Sequence, residues 1–392
     1  MRELLETARE AVMDGEIVIL CTVVRLEGSG YGRPGARMLL TESGERLGYI
    51  SGGCLEKDLR RRVWAETESG PKLLAFDTRG NSIPARSAYN TGCEGVVYVL
   101  AQRIRSVNHP ALSVPLRSQK EHTPIVMATV YRSERSDITA GQHLGHRDTA
   151  GLQSYNLAHE ILELLDPIME DCWELRRSST AEIVTETGNI EVALEYLQPS
   201  PRLVIFGVGD DVMPVSNLAV TMDWDVTVVG ERPELAHPSR FPKTTIACQS
   251  LHQFAGEFAF RPDDEVLLLT HNIDSDAELL PVLIDRGVKN IGLLGSKRRL
   301  AKMLARMHEH GHQLSDEQLS LLRSPVGLDI GAQTPQEIAV SIIAEILARR
   351  NKRSKTSLAS LDRPLHERET RLRVDATNRR QQHVEFLAES AQ

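Results

Sequence analysis

Apolar positions change period along this chain, and the changes divide it. Over residues 2–14 they fall at Leu4, Leu5, Ala8 and Val12 and stop at Gly15, which predicts one helix closed by a C-terminal glycine. Residues 17–24 form an apolar run of strand length. A glycine-rich loop follows over 28–35, and residues 38–40 and 47–50 pair as strands around Ser43-Gly44. Leu55, Leu59 and Val63 predict a helix from Cys54 to about residue 69. Further strands are expected at 72–76 and 96–100, with Thr91-Gly92-Cys93-Glu94-Gly95 as the turn before the latter.

A weak internal repeat follows. Cys21-Thr-Val-Val-Arg-Leu-Glu is echoed by Ala128-Thr-Val-Tyr-Arg-Ser-Glu, and each copy leads into a glycine-bearing loop and later a helix, at 157–165 in the second. This predicts one N-terminal α+β domain of two related halves over residues 1–198, with 191–201 as a linker ending in Pro-Ser-Pro. Beyond it the period changes again. Apolar runs at 203–206, 226–229, 266–269 and 290–294 alternate with helix-length segments, the pattern of a parallel doubly wound sheet. Thr334-Pro335-Gln336-Glu337 reads as a capping box opening a last helix. The fold expected is therefore α/β: an α+β domain, then a Rossmann-like domain over 199–350. Residues 351–392 are charged with little periodicity, and a disordered tail or a loosely attached helix is expected there.

Composition narrows the function classes. A net charge of -8 and an aromatic content of 4% argue against nucleic acid as a partner. No apolar run approaches the roughly 20 residues of a membrane helix. The charged N-terminus is no signal peptide, so a cytoplasmic setting is expected. The five cysteines are widely spaced and form neither a disulfide framework nor a CxxC pattern.

The densest chemistry lies in Ser51-Gly52-Gly53-Cys54-Leu55-Glu56, at a strand-to-helix junction. Glycines there let backbone approach a ligand, and free N–H groups at a helix start attract an anion. The same dipole would lower the pKa of Cys54. Cys93 lies in a second glycine turn, and the two thiols could meet as ligands of a soft metal or sulfur species; each could equally be a buried small hydrophobe. Cys21, Cys172 and Cys248 are read as buried. Arg33 and Arg37 would suit a phosphate, or be surface charge. Gly207-x-Gly209 is half of a dinucleotide fingerprint, with Val212 at the third glycine position and Gly230 near the usual acid. His271, at the carboxyl end of a strand, would serve as a general acid or base, or bond to backbone. Gly295 and Ser296, followed by Lys297 and Arg298, would suit a phosphate or be a solvated helix start. Asp329 lies in a glycine loop that could line the crevice.

Taken in order, these motifs resemble a known family. The residues are Gly28-Ser29 with Arg33-Pro34-Gly35-Ala36-Arg37-Met38, the run from Ser51 to Glu56, and Gly92-Cys93-x-Gly95. Later come Leu203 to Gly209 with Pro214, Arg240-Phe241-Pro242, Thr270-His271-Asn272 with Asp276, Ile291 to Lys297, and the stretch from Ser324 to Ala339. Over about residues 1–350 the chain looks like the xanthine dehydrogenase accessory and carbon monoxide dehydrogenase maturation family of XdhC/CoxI type. The resemblance implies a chaperone that binds the molybdenum cofactor (molybdopterin), protects it during sulfuration and delivers it to a molybdenum hydroxylase. It implies that apoenzyme and a cysteine desulfurase as partners, and a homodimer. Gly230, Glu94 and Asp210 depart from the family's aspartate, glycine and histidine. The competing reading is an NAD(P)-dependent oxidoreductase with an active-site thiol, which the incomplete fingerprint disfavours.

Overall fold

The computed structural model describes residues 1–28, 33–51, 53–78, 95–146, 159–361, 371–375 and 383–387. They form two compact units, Met1–Pro199 with His366–Gln392, and Ser200–Leu365. Among the described residues no helix is long and apolar enough to cross a membrane.

The first unit is built from a duplicated motif. Its first half runs α1 (Arg2–Met13), β1 (Val18–Gly28), β2 (Arg37–Thr41), β3 (Arg46–Gly48), α2 (Cys54–Glu66), β4 (Lys72–Asp77) and β5 (Gly95–Ile104). The second half runs α3 (Pro110–Glu121), β6 (Ile125–Ser133), β7 (His143–His146), α4 (His159–Leu175), β8 (Ser179–Thr185) and β9 (Gly188–Leu197). The strand order β2-β1-β5-β4 of one sheet matches β7-β6-β9-β8 of the other. Both copies carry a bulge at the same place, Val23/Arg25 and Val130/Arg132. After each bulge a glycine N–H returns to the strand at 2.8 Å, Gly35 to Val23 and Gly141 to Val130. The weak sequence echo is thus a structural repeat.

The two halves touch through matched positions. Arg37 and His143 are the first residues of β2 and β7, opposite Thr22 and Thr129 respectively. Each reaches a residue of the other half: Arg37 reaches Glu195, and His143 reaches Gln102 at 3.0 Å. Glu195 and Gln102 themselves occupy equivalent registers, opposite Met127 and Leu20. Arg25 and Glu191 add a buried ion pair at 2.9 Å across the same seam.

Two sequence expectations are corrected here. Residues 191–197 are no linker: Ile190, Val192 and Leu194 alternate into the core, and β9 runs to Leu197. Nor are the described C-terminal residues disordered or a loosely attached helix. β16 (Arg371–Asp375) pairs in parallel with β8, and β17 (His383–Leu387) pairs antiparallel with β16. Leu372 and Val374 are 4% and 2% exposed in the second half's core. Only two apolar residues at period two sit among charges, so the sequence signal is faint, and β8 supplies the edge that fixes them.

The second unit is the expected parallel sheet. It runs β10 (Arg202–Phe206), α5 (Val212–Thr221), β11 (Asp225–Gly230), β12 (Thr245–Cys248), α6 (Leu251–Glu257), β13 (Glu265–Leu268), α7 (Ile273–Asp285), β14 (Ile291–Leu293), α8 (Lys297–Glu309), α9 (Asp316–Ser320), β15 (Leu322–Arg323) and α10 (Pro335–Arg350). The order β12-β11-β10-β13-β14-β15 reverses direction between β10 and β13, the switch point of a Rossmann-like sheet. Helices α5 and α10 bury one face of the sheet, and α6, α7 and α8 the other.

Candidate functional site

In the first unit, strand register fixes where each motif-bearing loop leaves the five-stranded sheet. Gly28 ends β1 opposite Gly95, Asp77 ends β4 opposite Val96, and Gly48 ends β3 opposite Met38. β1 and β4 therefore end at the same level of the sheet, whereas β3 ends level with Cys21, in the middle of β1. Thr78 follows β4: its hydroxyl donates to the Gly95 carbonyl at 2.8 Å and accepts the Gly95 N–H at 3.1 Å. Sequence reasoning passed over Thr78, which carries no motif of its own. Cys93 and Gly52 lie outside the described residues, and Cys54 is described only as the first residue of α2.

The anion that fills this turn is the chain's own Glu56. Glu56 is 1% exposed. It accepts the N–H groups of Ile50 (2.9 Å), Ser51 (2.6 Å) and Gly53 (3.0 Å), together with the Ser51 hydroxyl (2.7 Å). Burial pushes the Glu56 pKa upward, but the Ser51 hydroxyl and the backbone donors outweigh it and hold it below the ordinary value. Glu56 is thus a buried cap and not an outward ligand, which corrects the sequence expectation. The backbone donors foreseen for a phosphate at Ser51 and Gly53 are already engaged. Gly53 holds φ 114 with open space where a side chain would go, so its glycine serves the backbone angle.

Arg37 is corrected too. Its side chain is 1% exposed and bonds Glu195 twice, at 2.7 and 2.5 Å. Burial in the seam, invisible from sequence, turns an expected phosphate contact into a buried ion pair. Arg33 is exposed at the head of the same loop. Cys21 and Cys172 are buried as expected, and burial pushes the Cys21 thiol up to about 12. Cys248 is instead exposed, because β12 is an edge strand.

In the second unit, the loops after β10 and β13 meet at the switch point. Gly207 has φ 134, and a Cβ there would lie 2.2 Å from the Leu269 carbonyl, so this glycine admits the neighbouring chain. Gly209 abuts Asp211 and His271. His271 Nε2 lies 2.9 Å from Asp211 Oδ2. A carboxylate can only accept, so Nε2 carries the proton and Nδ1 of the neutral ring is left as an acceptor. The His271 side chain is 64% exposed, and its backbone takes the left-handed φ of 58. Asp210 is exposed and paired to Arg240 at 2.6 Å; Arg240 also donates to the carbonyls of Val208 and Leu235. Asp211 was not singled out in the sequence, although an acid directly after a Gly-x-Gly turn is a usable signal.

The loop after β14 flanks the same crevice. Gly295 has φ 131, and the Ser296 hydroxyl caps α8 through the Arg299 N–H. Ser296, Lys297 and Arg298 are exposed at that helix start. Asp329 is exposed in the loop between β15 and α10, where Gly327 and Leu328 are bonded to Glu345 and Ser341 of α10. Two features weigh against a dinucleotide. A Cβ at Gly230 would lie 2.3 Å from Val208, whose side chain covers the place of the ribose-binding acid. Val212, at the third glycine position, is fully buried. Among the described residues no group of three or more His, Cys, Asp or Glu is arranged to hold a metal.

Comparison with known proteins agrees with this architecture. Residues 11–77 match the XdhC and CoxI family, and residues 203–346 match the XdhC Rossmann domain. A Bacillus subtilis protein, named as a probable subunit of xanthine dehydrogenase, is 31% identical over 344 residues, 86% of this chain and 95% of that one. The Escherichia coli protein named molybdenum cofactor insertion chaperone PaoD is 24% identical over 88% of this chain and 87% of its own length. A solved structure from Bacillus halodurans, described as a xanthine dehydrogenase, superposes with a TM-score of 0.68 at 26% identity, covering 91% of this chain and 98% of that one. With both family domains matched in order and a relative aligned over nearly its whole length, this chain belongs to the XdhC and CoxI family.

Proposed function

We propose that this protein is a maturation factor that binds the molybdenum cofactor, shields it while its terminal sulfur is installed, and passes it to a molybdenum hydroxylase apoenzyme. The observation that carries the reading is the likeness, spanning both units, to a chain named as a molybdenum cofactor insertion chaperone. A cysteine desulfurase as sulfur source, a homodimer and a cytoplasmic setting belong to the same reading.

The chemistry of the crevice in the second unit fits a molybdopterin. Its β10 and β13 side offers acceptors, with the Asp210 carboxylate and the free nitrogen of His271. Its β14 side offers cations, with Lys297 and Arg298 beside the amides that open α8. A pterin ring edge carries N–H donors and its side chain ends in a phosphate, so the two sides suit the two ends. Neighbouring strands lie about 5 Å apart, so β10 and β14, with β13 between them, stand about 10 Å apart, within the reach of one such ligand. The Ser51 to Glu56 turn suits the phosphate less, because Glu56 already takes its donors. Cys54 and Cys93 remain candidates for a contact with the soft metal–sulfur centre, which supplies the oxygen-transfer chemistry once it sits in the hydroxylase.

The test is anaerobic purification from a molybdenum-replete host, oxidation of bound pterin to its fluorescent product, and quantification against protein. Pterin should co-purify, and His271→Ala should reduce it. A preparation free of pterin would sink the reading. NAD(P)H binding with turnover would install the oxidoreductase in its place.

A further inference from the structure

We infer that Asp276 is a positioning residue of the crevice, holding His271 in its ligand-facing conformation and tying that loop to the helix start that faces it. The functional part of this inference rests on the cofactor reading above. Asp276 lies in the first turn of α7 and is 1% exposed. One of its oxygens accepts the Thr270 hydroxyl at 2.6 Å, and the other accepts Arg299 at 2.6 Å. Thr270 Oγ1 in turn accepts the Asn272 N–H at 3.0 Å, and the Asn272 side chain caps α7. Both chain neighbours of His271 are thereby fixed, the first of them by Asp276 directly.

That clamp has something to hold. A left-handed backbone is strained for any residue with a Cβ, and His271 adopts it at an exposed loop tip. Released, the loop would relax and the imidazole would leave Asp211. The second oxygen of Asp276 carries the constraint further. Arg299 packs beneath Gly295 so closely that a Cβ there would lie 2.3 Å from Arg299 Cδ. One buried carboxylate therefore fixes the loop after β13 and the loop after β14 together. Helix capping alone does not call for it, since Asn272 already supplies the cap. A buried ion pair is also a poor source of stability compared with apolar packing. The retained charge is accounted for by what it orients.

The experiment uses the full chain with ¹⁵N-labelled histidine. At alkaline pH, where the ring is neutral, wild-type His271 should show a single tautomer with the proton on Nε2. Thr270→Val removes only the hydroxyl, and Asp276→Asn weakens both bonds. In each the tautomers should mix and pterin retention should fall about tenfold, the size seen when a group orienting a ligating histidine is lost. Thr270→Ser should restore both. An unchanged His271 signal in Thr270→Val, or unchanged pterin retention in it beside a pterin-bearing wild type, would overturn the inference. If Asp276→Asn does not fold, the Thr270 pair carries the test. If wild type retains no pterin, the cofactor reading fails while the tautomer arm still decides the role of Asp276.

Discussion

Replacing Arg37 by Met should destabilise the first unit strongly, and replacing its partner as well should restore most of the loss. The Arg37 side chain is 1% exposed and makes two charge-assisted bonds to Glu195, whose side chain is 16% exposed. It also donates to the Gly35 carbonyl at 3.0 Å, while its Nε is buried without a partner. Removing one member of such a pair leaves an uncompensated buried charge and costs about 3–5 kcal/mol. An apolar pair of similar volume avoids that cost, so Arg37→Met/Glu195→Met should lie within about 1–2 kcal/mol of wild type. The coupling energy of the cycle should then lie above the usual range, at about 4 kcal/mol or more. Of the three tryptophans, Trp64 and Trp173 lie in the first unit and Trp224 in the second. Urea unfolding followed by fluorescence in a Trp224→Phe background therefore reports the first unit alone. If the double variant loses the sum of the two single losses, Arg37 and Glu195 do not act as a pair and the account of the seam is wrong. Pterin content of the double variant adds a second check, because a buried Arg37 has no phosphate to lose.

Three further outcomes are expected. His143 is buried and neutral, its pKa driven down to about 3 by burial first and by His109 and Arg37 after it. The unfolded chain takes up that proton below its ordinary value of 6.5, so stability drains away as pH falls from there. His143→Gln should flatten the pH dependence of first-unit urea midpoints between those limits, and an unchanged slope would refute the buried neutral state. Glu56 has a folded pKa below its ordinary value of 4.5, so its contribution is full above that value and is lost as pH falls through the lowered one. Glu56→Gln should be less stable at neutral pH, with the gap from wild type closing in acid; a constant gap would count against the carboxylate cap. Gly207→Ala places a Cβ 2.2 Å from a backbone carbonyl at φ 134, and should cost at least about 3 kcal/mol by Trp224 fluorescence. Gly256→Ala, in open space on α6, should instead gain up to about 1 kcal/mol, and equal effects would contradict this reading of Gly207.

Much of the fold was legible because burial leaves a period. The alternation of β10, β11, β13 and β14 with helices is written in continuous apolar runs, since both faces of that sheet are covered. The duplication was visible at Cys21 and Ala128 because the bulge that follows each one demands the same local sequence. β16 was missed because two apolar residues among charges carry no usable period. At the candidate site, sequence identified residue types and spacing but not what each side chain faces. The run ending in Glu56 reads as an anion site and Arg37 as a phosphate contact or surface charge, yet both side chains turn inward to partners that differ in distance along the chain. Glu56 meets donors within six residues, whereas Arg37 meets a carboxylate 158 positions away.

By itself the sequence determined the two architectures, the duplicated motif and the positions of the glycine turns, because each depends on local period and backbone freedom. Only the tertiary structure decided which polar groups are spent inside the fold. The seam between the halves consumes Arg37, Glu56 fills its own amide turn, and Asp276 disappears beneath two loops. His271 and Asp210 stay exposed at the switch point of the second sheet. The physical reason is that a polar side chain is offered to a ligand only where it stays exposed, and which side chains are buried against long-range partners is set by strand register and packing.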